Sequence, residues 1–435
     1  MVIVVLCYTA NLICLCGADM SYASNKYEPE EFNPALSRLV TPSTSRRQPV
    51  YRWYVYPHSF TRELVQHILD GLELKPGSIV LDPCVGAGST ILSCKEKGVS
   101  AIGYDILPLS VLITNVKARN YNTKVLRRAW NFLLSVGWHR KANEKHTDVS
   151  FLSKAFDSQV LERIFQIRNS IYNVSNLKYR QLFLLGLIAI IGEVSKTAKG
   201  GGWLRLKPDK TSNPEDVDTL FIAQVEKMIS DLEMSPITAP NPGIWKAYKG
   251  DARSLPNGRS FRAVITSPPY LNRHDYTRIF LLELAIPFLM KERCLKSLRY
   301  RTLRSHIEAK RQFDNNDGYS QPSKLVSLLK ELQGVSLNNE RLPTMIAGYF
   351  EDMYLMLREL YRLTEPGGKV VFVLGNVRFG GVMIPVDEIT AEIGEQVGFR
   401  WYHTTIARYR GNSAQQMGEF SREPSRECLI YWSKP

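Results

Sequence analysis

The segment SIVLDPCVGAGST, residues 78 to 90, begins as a buried strand and ends as the first turn of a helix. Ile79, Val80 and Leu81 form an apolar run bounded by turn residues. Gly86 and Gly88 allow a sharp reversal, and Ile91 and Leu92 then resume an apolar face. A second strand reads VSAIGYD at 99 to 105. Strand, glycine turn, helix and strand within so short a span make a βαβ unit, which implies an α/β fold with a parallel sheet covered by helices.

Residues 20 to 49 are polar and interrupted by Pro34, Pro42 and Pro49, as in an arm or linker. After the aromatic segment YRWYVYPHSF at 51 to 60, Thr61 is placed to cap an amphipathic helix whose apolar face includes Leu64, Val65, Ile68 and Leu69. Residues 106 to 245 read as mostly helical, with a buried apolar helix at 182 to 194 and a glycine-rich loop at 199 to 211 that either reaches a groove or serves as a connector. The strand pattern returns at 247 to 252, 263 to 266 and 367 to 376. A terminal antiparallel pair is expected at 400 to 409 and 427 to 432.

Lys and Arg exceed Asp and Glu by 56 to 42 in the 435 residues, a formal charge of +14 that favours a polyanionic partner. Seven scattered cysteines without a CxxC pair read as reduced thiols and not as a zinc site, so no metal is expected. The apolar N-terminus lacks a positive leader and is too short to span a bilayer. Met20 is the better candidate start, and a cytoplasmic protein without membrane attachment is expected.

The loop DPCVGAGST at 82 to 90 lets a ligand approach the backbone at the free N–H groups of a helix. Asp105, at the tip of the second strand, is positioned to accept hydrogen bonds from ribose hydroxyls. Together they point to a ribose-bearing cofactor without separating nicotinamide from S-adenosylmethionine. A further strand, AVIT at 263 to 266, leads directly into Ser267, Pro268, Pro269 and Tyr270, and Asp251 ends another strand.

This set resembles the S-adenosylmethionine-dependent DNA amino-methyltransferases of the N4-cytosine and N6-adenine type, whose catalytic loop reads Asp, Asn or Ser, then Pro-Pro, then an aromatic. The family's methionine-binding loop, DPF-x-G-x-G, is matched by Asp82, Pro83, Cys84, Val85, Gly86, Ala87 and Gly88, with Cys84 in the aromatic's place. The resemblance implies a Rossmann-like fold with a mostly parallel sheet, antiparallel C-terminal strands and helical insertions. It also implies that Asp105 holds the ribose, Asp251 the adenine amine, and that Tyr56 to Phe60 form the preceding cofactor segment. Residues 50 to 110 and 246 to 435 would form the catalytic domain. The stretch 111 to 245 would be a helical insertion with a part in target recognition, and 291 to 345 a basic insertion against DNA.

The chemistry of the loop agrees. An exocyclic amine is a poor nucleophile because its lone pair is delocalised, and two acceptors, the Ser267 hydroxyl and the Pro268 carbonyl, would draw its hydrogens out of conjugation. Two prolines fix φ and hold the preceding residues extended. Tyr270 would stack on a base flipped from duplex DNA. His274 and Asp275 are alternative proton acceptors, although a loop ion pair or backbone hydrogen bond suits each better. In the resembled family serine at the first position goes mostly with cytosine N4, which places adenine N6 second and an RNA or protein amine third. A silent DNA-binding protein would need no intact cofactor loop, and an NAD oxidoreductase would leave Ser267 to Tyr270 idle. The run 291 to 311 holds eight Lys and Arg against two Glu, a candidate for phosphate contacts. A monomer paired genetically with a restriction endonuclease completes the expectation.

Overall fold

A computed structural model describes residues 26–29, 31–56, 59–138, 148–310, 318–410 and 424–435. The expectations for the apolar N-terminus and the Met20 start fall outside the described residues, as do Pro57 and His58 of the aromatic segment and Arg311 of the basic run.

The strands are β1 (Glu31–Phe32), β2 (Ile79–Asp82), β3 (Ser100–Asp105), β4 (Thr197–Gly200), β5 (Trp203–Leu206), β6 (Trp245–Lys249), β7 (Phe261–Thr266), β8 (Thr364–Gly375), β9 (Val377–Phe379), β10 (Val382–Ile384), β11 (Arg400–Arg410) and β12 (Ser425–Ser433). Eight of them form one sheet in the order β1-β11-β12-β8-β7-β2-β3-β6. From β8 to β6 neighbours run parallel, with Leu81 opposite both Ile102 and Val264. β12 lies antiparallel to both β8 and β11, which is the terminal pair read from the sequence. The fold is α/β and Rossmann-like, with antiparallel strands at its C-terminal edge.

The central strands are apolar over most of their length because both faces are covered. In β7, Ala263 and Ile265 join one buried cluster while Phe261 and Val264 join the other. The first face carries α1 (Arg62–Gly71), α2 (Ser89–Glu96), α3 (Pro108–Ala118), α4 (Thr123–Val136), α5 (Leu152–Ala155), α6 (Ser158–Tyr172), α7 (Leu177–Val194) and α8 (Pro214–Met234). Thr61 does cap α1, its hydroxyl accepting from Leu64 N at 3.2 Å. The run at 182 to 194 lies within α7, buried on nearly every side. Trp130 of α4 packs on Phe183 and Phe221 with ring centroids 5.3 and 5.6 Å apart, so the middle helices share one core with α1 to α3.

Next in the chain come α9 (Tyr276–Ile279), α10 (Leu281–Phe288) and α11 (Glu292–Arg301), and then α12 (Ser323–Gln333), α13 (Leu342–Leu363) and α14 (Val386–Gln396), which cover the opposite face. Two expectations are corrected. Residues 197 to 206, read in part as a loop, form the antiparallel hairpin β4–β5. The strand expected at 247 to 252 is β6, which ends at Lys249, so Asp251 sits past it in a turn bridged to Ser254. Because β2, β3, β6 and β7 are parallel, their carboxyl ends meet along one edge, where open α/β sheets bind ligands.

Candidate active site

Asp82 closes β2 and is almost wholly buried. Its Oδ1 accepts from Cys84 N at 3.1 Å and from the Thr266 hydroxyl at 2.7 Å, tying the glycine loop to the end of β7. Burial pushes this carboxyl up to about 6. Gly88 opens α2 with φ +85°, where a Cβ would stand 2.8 Å from Thr114 Oγ1, so only glycine suits this turn. At the end of β3, Asp105 accepts Gly86 N–H on Oδ2 at 3.0 Å and Leu107 N–H on Oδ1 at 2.9 Å. Burial raises its pKa while these backbone donors pull it down. Each oxygen keeps a further lone pair for a ligand hydroxyl.

The aromatic segment is fastened to this loop from below. Lys117, buried on α3, donates to the carbonyls of Tyr51 at 3.1 Å, Tyr54 at 2.7 Å and Ala87 at 3.3 Å, and burial lowers its pKa to about 7. Ser89 Oγ holds the Phe60 carbonyl at 3.0 Å. Neither link was legible in the sequence, since a lysine on an apolar helix carries no mark of its acceptors.

Arg253 grips Asp251 through two donors, Nε to Oδ1 and Nη2 to Oδ2, each at 2.9 Å. The guanidinium is fully buried, reaches Asp352 at 3.0 Å and donates to the Arg301 carbonyl at 2.6 Å. Asp352 is in turn held by Arg304 N and Nη2, both at 2.7 Å. Arg304 of the basic run thus works inside the protein, and so does Arg299, paired with Asp275 at 2.9 Å. Those two charges are not phosphate contacts, a correction to the basic-run expectation that follows from their buried acidic partners.

On the loop after β7, the Tyr270 hydroxyl donates to Glu427 Oε1 at 2.6 Å, and Arg408 Nε meets Glu427 Oε2 at 2.5 Å. The ring lies over Gly375, whose Cβ would stand 3.2 Å from it. Burial and the Glu427 carboxylate hold the phenol well above its ordinary pKa, so it remains a neutral donor. Asp275 caps α9, accepting from Thr277 N at 2.9 Å, besides its arginine partners. This is the ion-pair role and not that of a free base.

A cavity of about 970 Å³, open space included, joins these parts. Its cofactor-loop wall has Phe60, Asp82, Pro83, Cys84 and Gly86, with Asp105 and Asp251 beside them. Ser267 and Pro269 enter from β7. Gly88, Pro268 and Tyr270 are not among its lining residues. Tyr56, from the expected cofactor segment, also lines it, and the part of the wall that the sequence did not reveal includes Ser110, Tyr276, Arg301, Thr302, Leu303, Ser305 and His306, brought there by long-range packing. His306 Nε2 is bonded to the Thr302 hydroxyl at 2.8 Å. A buried Asp82 and the half-buried Asp105 and Asp251, facing apolar and aromatic walls, suit a ligand that carries positive charge on an organic frame.

No protein-family model matches the chain. Over 465 residues it is 30% identical to the type II methyltransferase M.BsoBI of Geobacillus stearothermophilus, covering 94% of this chain and 89% of that relative. This chain belongs to the type II methyltransferases. The type II methyltransferase M.AvaI of Anabaena variabilis is 29% identical over 443 residues, covering 92% of this chain and 90% of its own. M.MjaII of Methanocaldococcus jannaschii matches over a shorter stretch, 34% identical over 83 residues. The methyl donor of this type II methyltransferase is S-adenosylmethionine, and the acid-lined cavity fits it, with its sulfonium and ammonium charges and its ribose hydroxyls. Among the described residues of this methyltransferase no helix is long and apolar enough to cross a membrane.

Proposed function

We propose that this methyltransferase modifies the exocyclic N4 amine of cytosine in double-stranded DNA, as the modification enzyme of a restriction-modification system. The observation that carries the reading is the delivery of Ser267 and Pro269 by β7 into the cavity that also holds Asp82 and Asp105. A Pro-Pro corner beside a donor-sized, acid-lined cavity is what amine methylation asks of a protein.

S-adenosylmethionine, when bound, supplies an electrophilic methyl group on a positively charged sulfur. Asp105 accepts its ribose hydroxyls, Asp251, oriented by Arg253, its adenine amine, and Asp82 offsets its positive charge. Ser267 Oγ and the Pro268 carbonyl accept the two hydrogens of the target amine, which turns the nitrogen lone pair out of the ring system. Orientation then does most of the catalysis, and the proton departs after transfer, so no strong base is required. Tyr270 stacks on the target base, which has to leave the duplex to reach the cavity.

The test is incubation with methyl-labelled S-adenosylmethionine and plasmid DNA, digestion to nucleosides and mass identification. N4-methylcytosine is the expected product. N6-methyladenine would move the acceptor to adenine, and label in RNA or protein with none in DNA would refute the reading. Ser267→Ala should abolish transfer while donor binding persists.

A further inference from the structure

The hairpin β4–β5 has two unlike faces. Cross-strand partners of an antiparallel pair share a face. The register Lys199↔Leu204 therefore marks one face, and Ala198↔Arg205 with Gly200↔Trp203 marks the other. The first is docked: Lys199 Nζ donates to the Tyr54 hydroxyl at 3.1 Å and pairs with Glu283 at 2.5 Å, while Leu204 packs on the core. At the tip, a Cβ on Gly202 would stand 3.1 Å from the Arg273 carbonyl and 3.4 Å from His274 Cα. The hairpin thus leans on the segment that continues from Tyr270.

The second face is open. Trp203 is 54% exposed, and the Arg205 guanidinium lies 5.6 Å from its ring centroid. Opposite them stands Gly200, where a Cβ would be 2.8 Å from Arg205 Nε, so a missing side chain is what lets the arginine lie across the hairpin beside the indole. The result is an aromatic and cationic platform on a docked hairpin, next to the segment that continues from Tyr270, in a chain with formal charge +14.

We propose that this platform is a duplex-contacting element: Trp203 stacks on the base pair next to the extruded base, and Arg205 meets a phosphate of the same strand. The proposal rests on the DNA reading above. Extruding a base removes stacking from its neighbours, and an aromatic face fixed beside the extrusion site can replace it without ordering a flexible side chain. A guanidinium held beside that ring supplies the fork that phosphate oxygens accept. Both parts ask for an exposed indole and an arginine that, among the described residues, pairs with no acid, on a hairpin docked through Lys199 and Leu204.

The test compares the full chain with Trp203→Ala, Trp203→Phe and Arg205→Ala on unmethylated plasmid DNA. It measures KM for DNA, kcat, donor affinity by equilibrium dialysis with labelled S-adenosylmethionine, and the dependence of DNA binding on salt. Aromatic stacking on a base has a typical alanine-substitution cost that corresponds to about a fivefold to hundredfold change. Trp203→Ala is expected to weaken DNA binding by that factor with donor affinity unchanged, and Trp203→Phe to recover most of the loss. Arg205→Ala should flatten the slope of log affinity against log salt by about 0.9. A KM for DNA within twofold of the parent in Trp203→Ala overturns the platform, as does equal loss of donor affinity, which would mark a structural role. If the parent itself labels no DNA, the DNA reading falls. If it labels DNA beside an unaffected Trp203→Ala, only the platform falls.

Discussion

Replacing Tyr270 by Phe removes a single hydroxyl, the one that stands 2.6 Å from Glu427 Oε1. That bond joins the Pro-Pro loop after β7 to β12, with Glu427 only 2% exposed, so a neutral donor meets a carboxylate away from water. Hydrogen bonds to charged groups contribute roughly 1.5–3 kcal/mol. Because Arg408 still holds the other oxygen of Glu427, the carboxylate does not become an unpaired charge, and the loss belongs near the lower half of that range. Tyr270→Phe should therefore lower stability by about 2 kcal/mol. In a double-mutant cycle with Glu427→Gln, the two changes should couple by more than about 1 kcal/mol. Stability is read from urea denaturation, and transfer from incorporation of labelled methyl into plasmid DNA. The ring survives in Tyr270→Phe, so transfer should persist at a reduced rate, whereas Tyr270→Ala removes the stacking face and should abolish it. Additive effects in the cycle would refute the tether, and full activity in Tyr270→Ala would remove this ring from catalysis.

Two other outcomes follow from buried charge. Burial raises the Asp82 pKa from 3.8 to about 6, so the folded state binds this proton more tightly than the unfolded chain. The stability linked to that proton is present below the unfolded value and lost as pH rises through about 6, a difference of about 3 kcal/mol. Asp82→Asn should consequently be the more stable form at pH 7, with the gap closing between pH 6 and 4 and donor affinity reduced; a gap independent of pH in urea titrations would disprove it. Arg253→Met should cost about 3–5 kcal/mol by leaving Asp251 and Asp352 with one fewer cationic partner in the interior. It should also raise KM for the donor, since Asp251 loses its grip, and unchanged stability and KM together would count against the clamp.

Much of the fold could be read locally. The alternation of apolar strand, glycine turn and helix at 78 to 105 needs no distant partner, because its signals are periodicity and backbone freedom. The same holds for Ser267 to Tyr270, where consecutive prolines after an apolar strand declare a rigid corner. Local reading failed at the hairpin. Three glycines at 200 to 202 suggested a connector, yet Lys199 and Leu204 find buried partners in Glu283 and the core, and that docking outweighs weak strand propensity. It failed also on the basic run, since charge counts do not distinguish an arginine facing solvent from Arg304 facing Asp352 and Glu351.

By itself the sequence determined the parallel sheet, the order of its motifs and the stiffness of the Pro-Pro corner, since these depend on residues adjacent in the chain. Tertiary structure alone decided which residues complete the cavity and what holds them. Glu427 reaches back across 157 positions to Tyr270, and Arg253 joins Asp251 to α13, because desolvated charges settle wherever the fold brings a partner within reach, at a separation that no local pattern records.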